Sequence, residues 1–243
     1  MGLLIWMSHP CWPSMVWQTY DYYLEPTAAY FGVKKACEPL HIQWNAATRN
    51  VEIANLCTGI HRQLTATADV LDMYGKPLSQ SINTYDVAND TTVVCMNIPE
   101  PDKNPGVYFI KLKLSDAGGK LLSDNFYMES TIPGNYQTLK SLPAVALTKE
   151  FQSMGIVPAG TEKKCVDECW SATLSLENKT SVPAMMVRLN LKGSDGEQIL
   201  PVIYSDNYFS LMPGEKKIVS IQWKDEDTRG RTAHVDVTGF NVK

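Results

Sequence analysis

Between Ser8 and Trp17 the chain reads SHPCWPSMVW, a loop that sets Ser8, His9 and Ser14 among tryptophans. Sugars present C–H faces that stack on indole rings, while their hydroxyls need nearby donors and acceptors. This loop therefore has the residue types of a carbohydrate surface, with Trp12, His9 and Ser8 as the substrate-binding candidates. Two readings of Trp12 stand side by side, a sugar platform and a side chain that packs a helix–strand interface. Trp6 and Trp17 sit within regular patterns and are expected to pack. His9 is equally consistent with a hydrogen-bonded structural histidine. His41, His61 and His234 lie in or beside strand patterns without a companion.

No catalytic residue can be assigned. Ser14 lacks the Gly-x-Ser-x-Gly context of a nucleophile elbow, and no triad can be assembled around it. Glycosidase chemistry needs two carboxylates ~5–10 Å apart in a cleft. The nearest acidic residues, Asp21, Glu25 and Glu38, lie on or after a helical segment and read as surface or capping groups. Cys165 and Cys169 form the one close cysteine pair, but no second half-site follows, so a local disulfide or free thiols are favoured over metal. Cys57 and Cys95 alternate with apolar neighbours like small core residues. Asp225-Glu226-Asp227, ahead of Arg229-Gly230-Arg231, reads as a charged hairpin loop rather than a calcium site. No glycine loop suited to phosphate is present, and no cofactor is expected.

The elements that must position these residues fall into two kinds. Leu3 to Met7, LLIWM, has the apolar run of a strand buried on both faces. Two prolines, Pro10 and Pro13, then force a loop. Glu25-Pro26-Thr27 starts a helix whose apolar face is Ala28, Ala29, Phe31 and Ala36, and which stops before Glu38-Pro39. After that the period becomes two. Strands are predicted over 40–44, 51–56, 64–73, 92–98, 107–114 and 122–127, with turns such as Tyr74-Gly75-Lys76-Pro77 and Ala117-Gly118-Gly119 between them. A linker is expected from Ile132 to about Pro143. A second set follows over 144–151, 170–176, 184–191, 199–204, 217–223 and 232–240. Short, regularly punctuated strands predict two tandem immunoglobulin-like sandwiches.

Composition narrows the partners. With 243 residues, 44% hydrophobic and 20% charged, the chain has the make-up of an ordinary globular protein with room for two cores. A net charge of -4 and a pI near 5.6 argue against nucleic acid and anionic membrane as partners. No run approaches the ~20 apolar residues of a membrane span. The opening MGLLIWM lacks the basic start and cleavage site of a signal peptide, while export of a longer parent stays open.

The run CWPSMVWQTYDYYLEPTAAYFGVKKACEPLHIQW, from Cys11 to Trp44, resembles one region of glycoside hydrolase family 2. The similarity is to the branch of exo-β-D-glucosaminidases and β-mannosidase-type enzymes. There the eighth barrel strand and its loop lead through a Tyr-Asp-Tyr-Tyr segment into the last barrel helix and then a sandwich. Tyr204-Ser205-Asp206-Asn207-Tyr208-Phe209 and Leu211-Met212-Pro213-Gly214-Glu215 resemble the strand–turn of that branch's final immunoglobulin-like domain.

The resemblance implies a mainly β chain: residues 1–40 an orphan βα unit from the end of a (β/α)8 barrel, 41–132 one sandwich, 133–243 a C-terminal sandwich. It implies a C-terminal accessory region of a retaining exo-glycosidase acting on β-linked glucosaminide or mannoside ends. The catalytic glutamates of that family follow the fourth and seventh barrel strands, so the chain alone is expected to be inactive. Trp12 matches a tryptophan at the active-site face of the barrel, with Ser8 and His9 beside it. His9 stands where an asparagine or other amide is expected. The implied partners are the remainder of the parent glycosidase (barrel and N-terminal domains) and its carbohydrate. An orphan unit would be disordered, docked on a sandwich or buried in a homo-oligomer. The alternative from another class is a non-catalytic pair of sandwiches that binds carbohydrate or protein through an exposed aromatic patch.

Overall fold

The computed structural model of the protein describes residues 4–14, 18–101, 105–157 and 169–243. They divide into two compact units, one of Lys34–Leu142 and one joining Met1–Val33 to Pro143–Lys243. One α-helix, α1 (Ala28–Ala36), precedes the strands.

The Lys34–Leu142 unit holds β1 (Leu40–Asn45), β2 (Asn50–Asn55), β3 (His61–Asp72), β4 (Pro77–Val87), β5 (Thr91–Asn97), β6 (Val107–Ser115) and β7 (Leu121–Ser130). They form a three-stranded sheet ordered β1–β2–β5 and a four-stranded sheet ordered β4–β3–β6–β7. All pairs are antiparallel. Alternation explains the layering. Along β3, Leu64, Ala66, Ala68 and Val70 turn inward while Thr65, Thr67 and Asp69 stay partly open. They meet Ile42, Val51 and Ile53 from the other sheet and Ile110, Leu112 and Leu114 from β6. Each such fully buried aliphatic side chain stabilises the fold by roughly 1.5–3 kcal/mol relative to exposure. Side chains of β7 also bond to the backbone of β1: Ile42 N–H donates to Ser123 Oγ, Trp44 N–H to Tyr127 Oη, and Asn125 Nδ2 to Ile42 O. The two hairpin turns at Asp72 and Asp116 share one device. Each aspartate accepts two backbone N–H groups, and Gly75 and Gly119 supply the φ of +81° that the turn requires.

The second unit repeats the seven-strand plan with different side chains. Its strands are β8 (Thr148–Val157), β9 (Cys169–Glu177), β10 (Ala184–Lys192), β11 (Ile203–Tyr204), β12 (Phe209–Leu211), β13 (Lys216–Trp223) and β14 (His234–Thr238). The sheets are ordered β11–β13–β9–β8 and β12–β10–β14. Leu174, Leu176, Leu189, Leu191, Val219 and Ile221 form the centre of its core, and Phe31 of α1 is buried in the same cluster. Two tandem immunoglobulin-like sandwiches are thus present, as the strand punctuation predicts.

Several local expectations are corrected. The predicted strand over Leu3–Met7 is not formed: Leu4–Met7 are irregular, with Leu4 97% and Trp6 81% exposed, and Leu3 lies outside the described residues. An apolar run alone does not make a strand, because its backbone groups must also enter a ladder. A helix is formed where Glu25-Pro26-Thr27 predicts its start, as α1. Asp225–Thr228 is a short helix, α2, not a hairpin loop, because β13 and β14 belong to different sheets and the chain must cross between them. Its three acidic residues occupy the first turn, where the helix dipole favours them. The stretch read as a linker contains a 3-10 helix over Gln137–Ser141 that buries Leu139.

Candidate functional site

The loop that carries the candidate residues is built from backbone bonds. Ser8 O accepts from Tyr20 N–H at 2.9 Å and from Thr19 Oγ1 at 3.1 Å. Thr27 repeats the motif one layer on, donating its N–H to Thr19 O at 3.0 Å and its hydroxyl to Gln18 O at 2.8 Å. Tyr20 and Pro26 close the intervening turn through an antiparallel bridge. Inside that turn Asp21 Oδ1 accepts the N–H groups of Tyr23 and Glu25, both at 2.9 Å, and Leu24 takes φ +67°. Asp21 is thus a capping group, as its position suggested.

On this scaffold Ser8 and His9 are exposed and touch, Oγ to Nδ1 at 3.3 Å. Trp12 is 68% exposed. Trp6, expected to pack, is also open to solvent, because the strand that would have buried it is absent; Trp17 lies outside the described residues. Next to the loop Tyr22 and Tyr23 form an edge-to-face pair, ring centroids 5.1 Å apart. A hydroxyl, an imidazole and open aromatic faces can bind and orient a polyol. They do not by themselves make a nucleophile and base.

Glu25 corrects the sequence reading. Its side chain is only 12% exposed, and both oxygens are engaged. Oε1 accepts from Arg188 Nε at 3.0 Å and Nη2 at 2.5 Å, and Oε2 accepts from Gln198 Nε2 at 2.7 Å. Burial alone would pull Arg188 down, but hydrogen bonding and the charge of Glu25 leave its guanidinium raised. Burial, then the charge of Glu25, pushes the neighbouring Tyr208 hydroxyl up. An aromatic chain provides a second attachment: Tyr20 to Tyr30 at 5.3 Å, Tyr30 to Phe31 at 5.1 Å, Phe31 to Tyr208 at 6.0 Å. A helix-start glutamate gives no local sign of such a role.

Glu38 is likewise structural, accepting from Ser123 Oγ at 2.6 Å beside Lys35 at 3.3 Å and His41 at 3.5 Å. The three carboxylates weighed as a glycosidase pair are therefore each committed to holding the fold. Among the described residues no group of three or more His, Cys, Asp or Glu side chains is arranged to hold a metal ion, and no helix is long and apolar enough to cross a membrane. Cys169 is disulfide-bonded, while Cys165 lies outside the described residues.

The motif Tyr204 to Phe209 has a clear structural role. Tyr204 Oη accepts Leu191 N–H at 2.8 Å, Asp206 pairs with Lys217 at 2.5 Å, and Asn207 bonds both backbone groups of Leu189. Met212-Pro213-Gly214-Glu215 forms the β12–β13 turn, with Met212 N–H donating to Glu215 Oε2 at 3.0 Å.

Comparison with known proteins places these features. The exo-β-D-glucosaminidase Ig-fold domain family matches residues 125–242. An exo-β-D-glucosaminidase of Streptomyces avermitilis is 30% identical over 99% of this chain and 28% of its own length. That of Arthroderma benhamiae is 28% identical over 100% of this chain and 28% of its own length. The crystal structure of the exo-chitosanase CsxA of Amycolatopsis orientalis superposes with a TM-score of 0.85 at 27% identity, covering 99% of this chain and 30% of that one. The chain thus spans less than a third of the length of the relatives it matches, and its similarity to family 2 exo-glucosaminidases runs through the whole of it.

Proposed function

We propose, for a chain whose residues 125–242 belong to the exo-β-D-glucosaminidase Ig-fold domain family, an accessory role at the C-terminal end of a family 2 exo-glycosidase. The whole enzyme removes β-linked glucosaminide or mannoside ends by a retaining mechanism. In such a mechanism one carboxyl protonates the leaving oxygen, and the other forms a covalent glycosyl intermediate that water then hydrolyses. Both of those glutamates come from the remainder of the enzyme, against which the sandwiches pack. This chain supplies a binding edge. Trp12 stacks on an apolar sugar face, and Ser8 and His9 hydrogen-bond its hydroxyls.

The observation that carries this reading is the open Trp12 indole on the same loop as the Ser8–His9 pair, in a segment fastened to a sandwich by the largely buried Glu25. The structural commitment of Asp21, Glu25 and Glu38 supports the expectation that the chain alone is inactive. Two assays test it. The purified chain should not hydrolyse 4-nitrophenyl β-D-glucosaminide, and clear turnover would overturn the reading. Placed in the Streptomyces enzyme in exchange for the region it matches, the chain should support hydrolysis. There Trp12→Ala should raise KM about tenfold, the size of a lost aromatic stack. A dead exchange enzyme together with sugar binding by the isolated chain would favour an independent binding module instead.

A further inference from the structure

We infer that Glu25, gripped by Arg188 and Gln198, is a positioning residue that holds the segment bearing Ser8, His9 and Trp12 in register with the C-terminal sandwich. The inference rests on the binding role proposed above for those three residues; the geometry of the grip stands apart from it. Glu25 differs from an ordinary surface ion pair in two ways. Its carboxylate is nearly buried, and each oxygen has its own partner: the Arg188 fork on Oε1 and the Gln198 amide on Oε2. A fork and an amide on one carboxylate define its orientation as well as its location.

The platform behind the grip is a strand paired on both sides. Arg188 lies on β10, the central strand of its three-stranded sheet, directly across from Thr238 of β14. Gln198 is bridged to Lys192 at the end of that same strand. From Glu25 outward every link is short. Pro26 follows and bridges Tyr20; Thr27 then bonds Gln18 and Thr19; and Tyr20 and Thr19 converge on the Ser8 carbonyl. The Ser8 backbone is therefore linked, through Glu25, to Arg188 on a strand of the C-terminal sandwich.

Backbone hydrogen exchange on the purified chain tests the grip. In Arg188→Gln the Tyr20 and Thr27 amides, which donate to Ser8 and Thr19, should exchange at least about tenfold faster. The core amides of Leu174 and Leu189 should keep their protection. Arg188→Lys, which keeps the charge and loses the fork, should restore part of it. Gln198→Ala, which leaves the ion pair intact, should loosen the same two amides and serves if Arg188→Gln does not fold. Unchanged exchange at Tyr20 and Thr27 in a folded variant would overturn the inference.

In the exchange enzyme the same variants should raise KM for 4-nitrophenyl β-D-glucosaminide by up to about tenfold, the size of the Trp12→Ala effect, while kcat changes less. A fall in kcat with KM unmoved would overturn the positioning role. Failure of the two proposals looks different. If the wild-type exchange enzyme is inactive but the amides loosen, the grip stands and the glycosidase reading falls.

Discussion

Asn207 replaces a missing strand for Leu189. Its Oδ1 accepts the Leu189 N–H at 2.8 Å and its Nδ2 donates to the Leu189 carbonyl at 2.9 Å, so one amide side chain completes the ladder that β12 leaves short. Both bonds are buried, so the Leu189 N–H and carbonyl are satisfied without solvent.

Asn207→Ala should therefore leave two buried backbone groups unpaired and destabilise the second sandwich by about 2 kcal/mol. The urea midpoint should fall with the slope unchanged, since the surface exposed on unfolding is the same. A shift under ~0.5 kcal/mol would show that water takes the place of the amide.

Gly239 is a steric test of the same sandwich. A Cβ there would lie 2.8 Å from the Met185 carbonyl oxygen and 3.1 Å from that of Met186. Backbone cannot swing away as a long side chain can. Gly239→Ala should cost roughly 1–3 kcal/mol, read as a lowered melting temperature.

Thiol chemistry should separate the cysteines. Cys11 and Cys37 are exposed and free, whereas burial pushes the Cys95 thiol up to about 11. At pH 8 Cys95 should hold on the order of 100-fold less thiolate than an unperturbed cysteine. Iodoacetamide should label Cys11 and Cys37 first and reach Cys95 only in denaturant, a sequence that peptide mass mapping would follow.

Acid should weaken the first sandwich through Glu38. Burial pushes this carboxyl up, but the neighbouring His41, a hydrogen bond from Ser123 and the charge of Lys35 outweigh it and hold Glu38 below the usual carboxylate range. A depressed pKa means that its contribution is fully present above the unfolded value and lost as pH falls through the folded one. Glu38→Gln should lower stability at pH 7 and flatten the decline below about pH 4.5. An equally steep acid limb in the variant would exclude the group.

Much of this protein was readable along the chain, because burial in a sandwich repeats every two residues. Leu64, Ala66, Ala68 and Val70 announce an inward face of β3, and the glycine turns mark where strands end. The Cys11–Trp44 run and the Tyr204–Phe209 motif carry the family resemblance. What failed was whatever lacked a local period. The outer strand β4 was missed because almost all of Pro77–Val87 faces solvent and shows no apolar alternation. LLIWM has the composition of a strand, but composition alone does not place a run in a ladder. Glu25 looked like any acidic residue at a helix start. Only the folded chain brings it to Arg188, 163 positions away, and turns it into the grip on the loop that holds Ser8, His9 and Trp12. The sequence determines which faces are apolar, since that is a property of neighbouring residues. Tertiary structure alone decides which charge meets which, since an ion pair leaves no period in the chain.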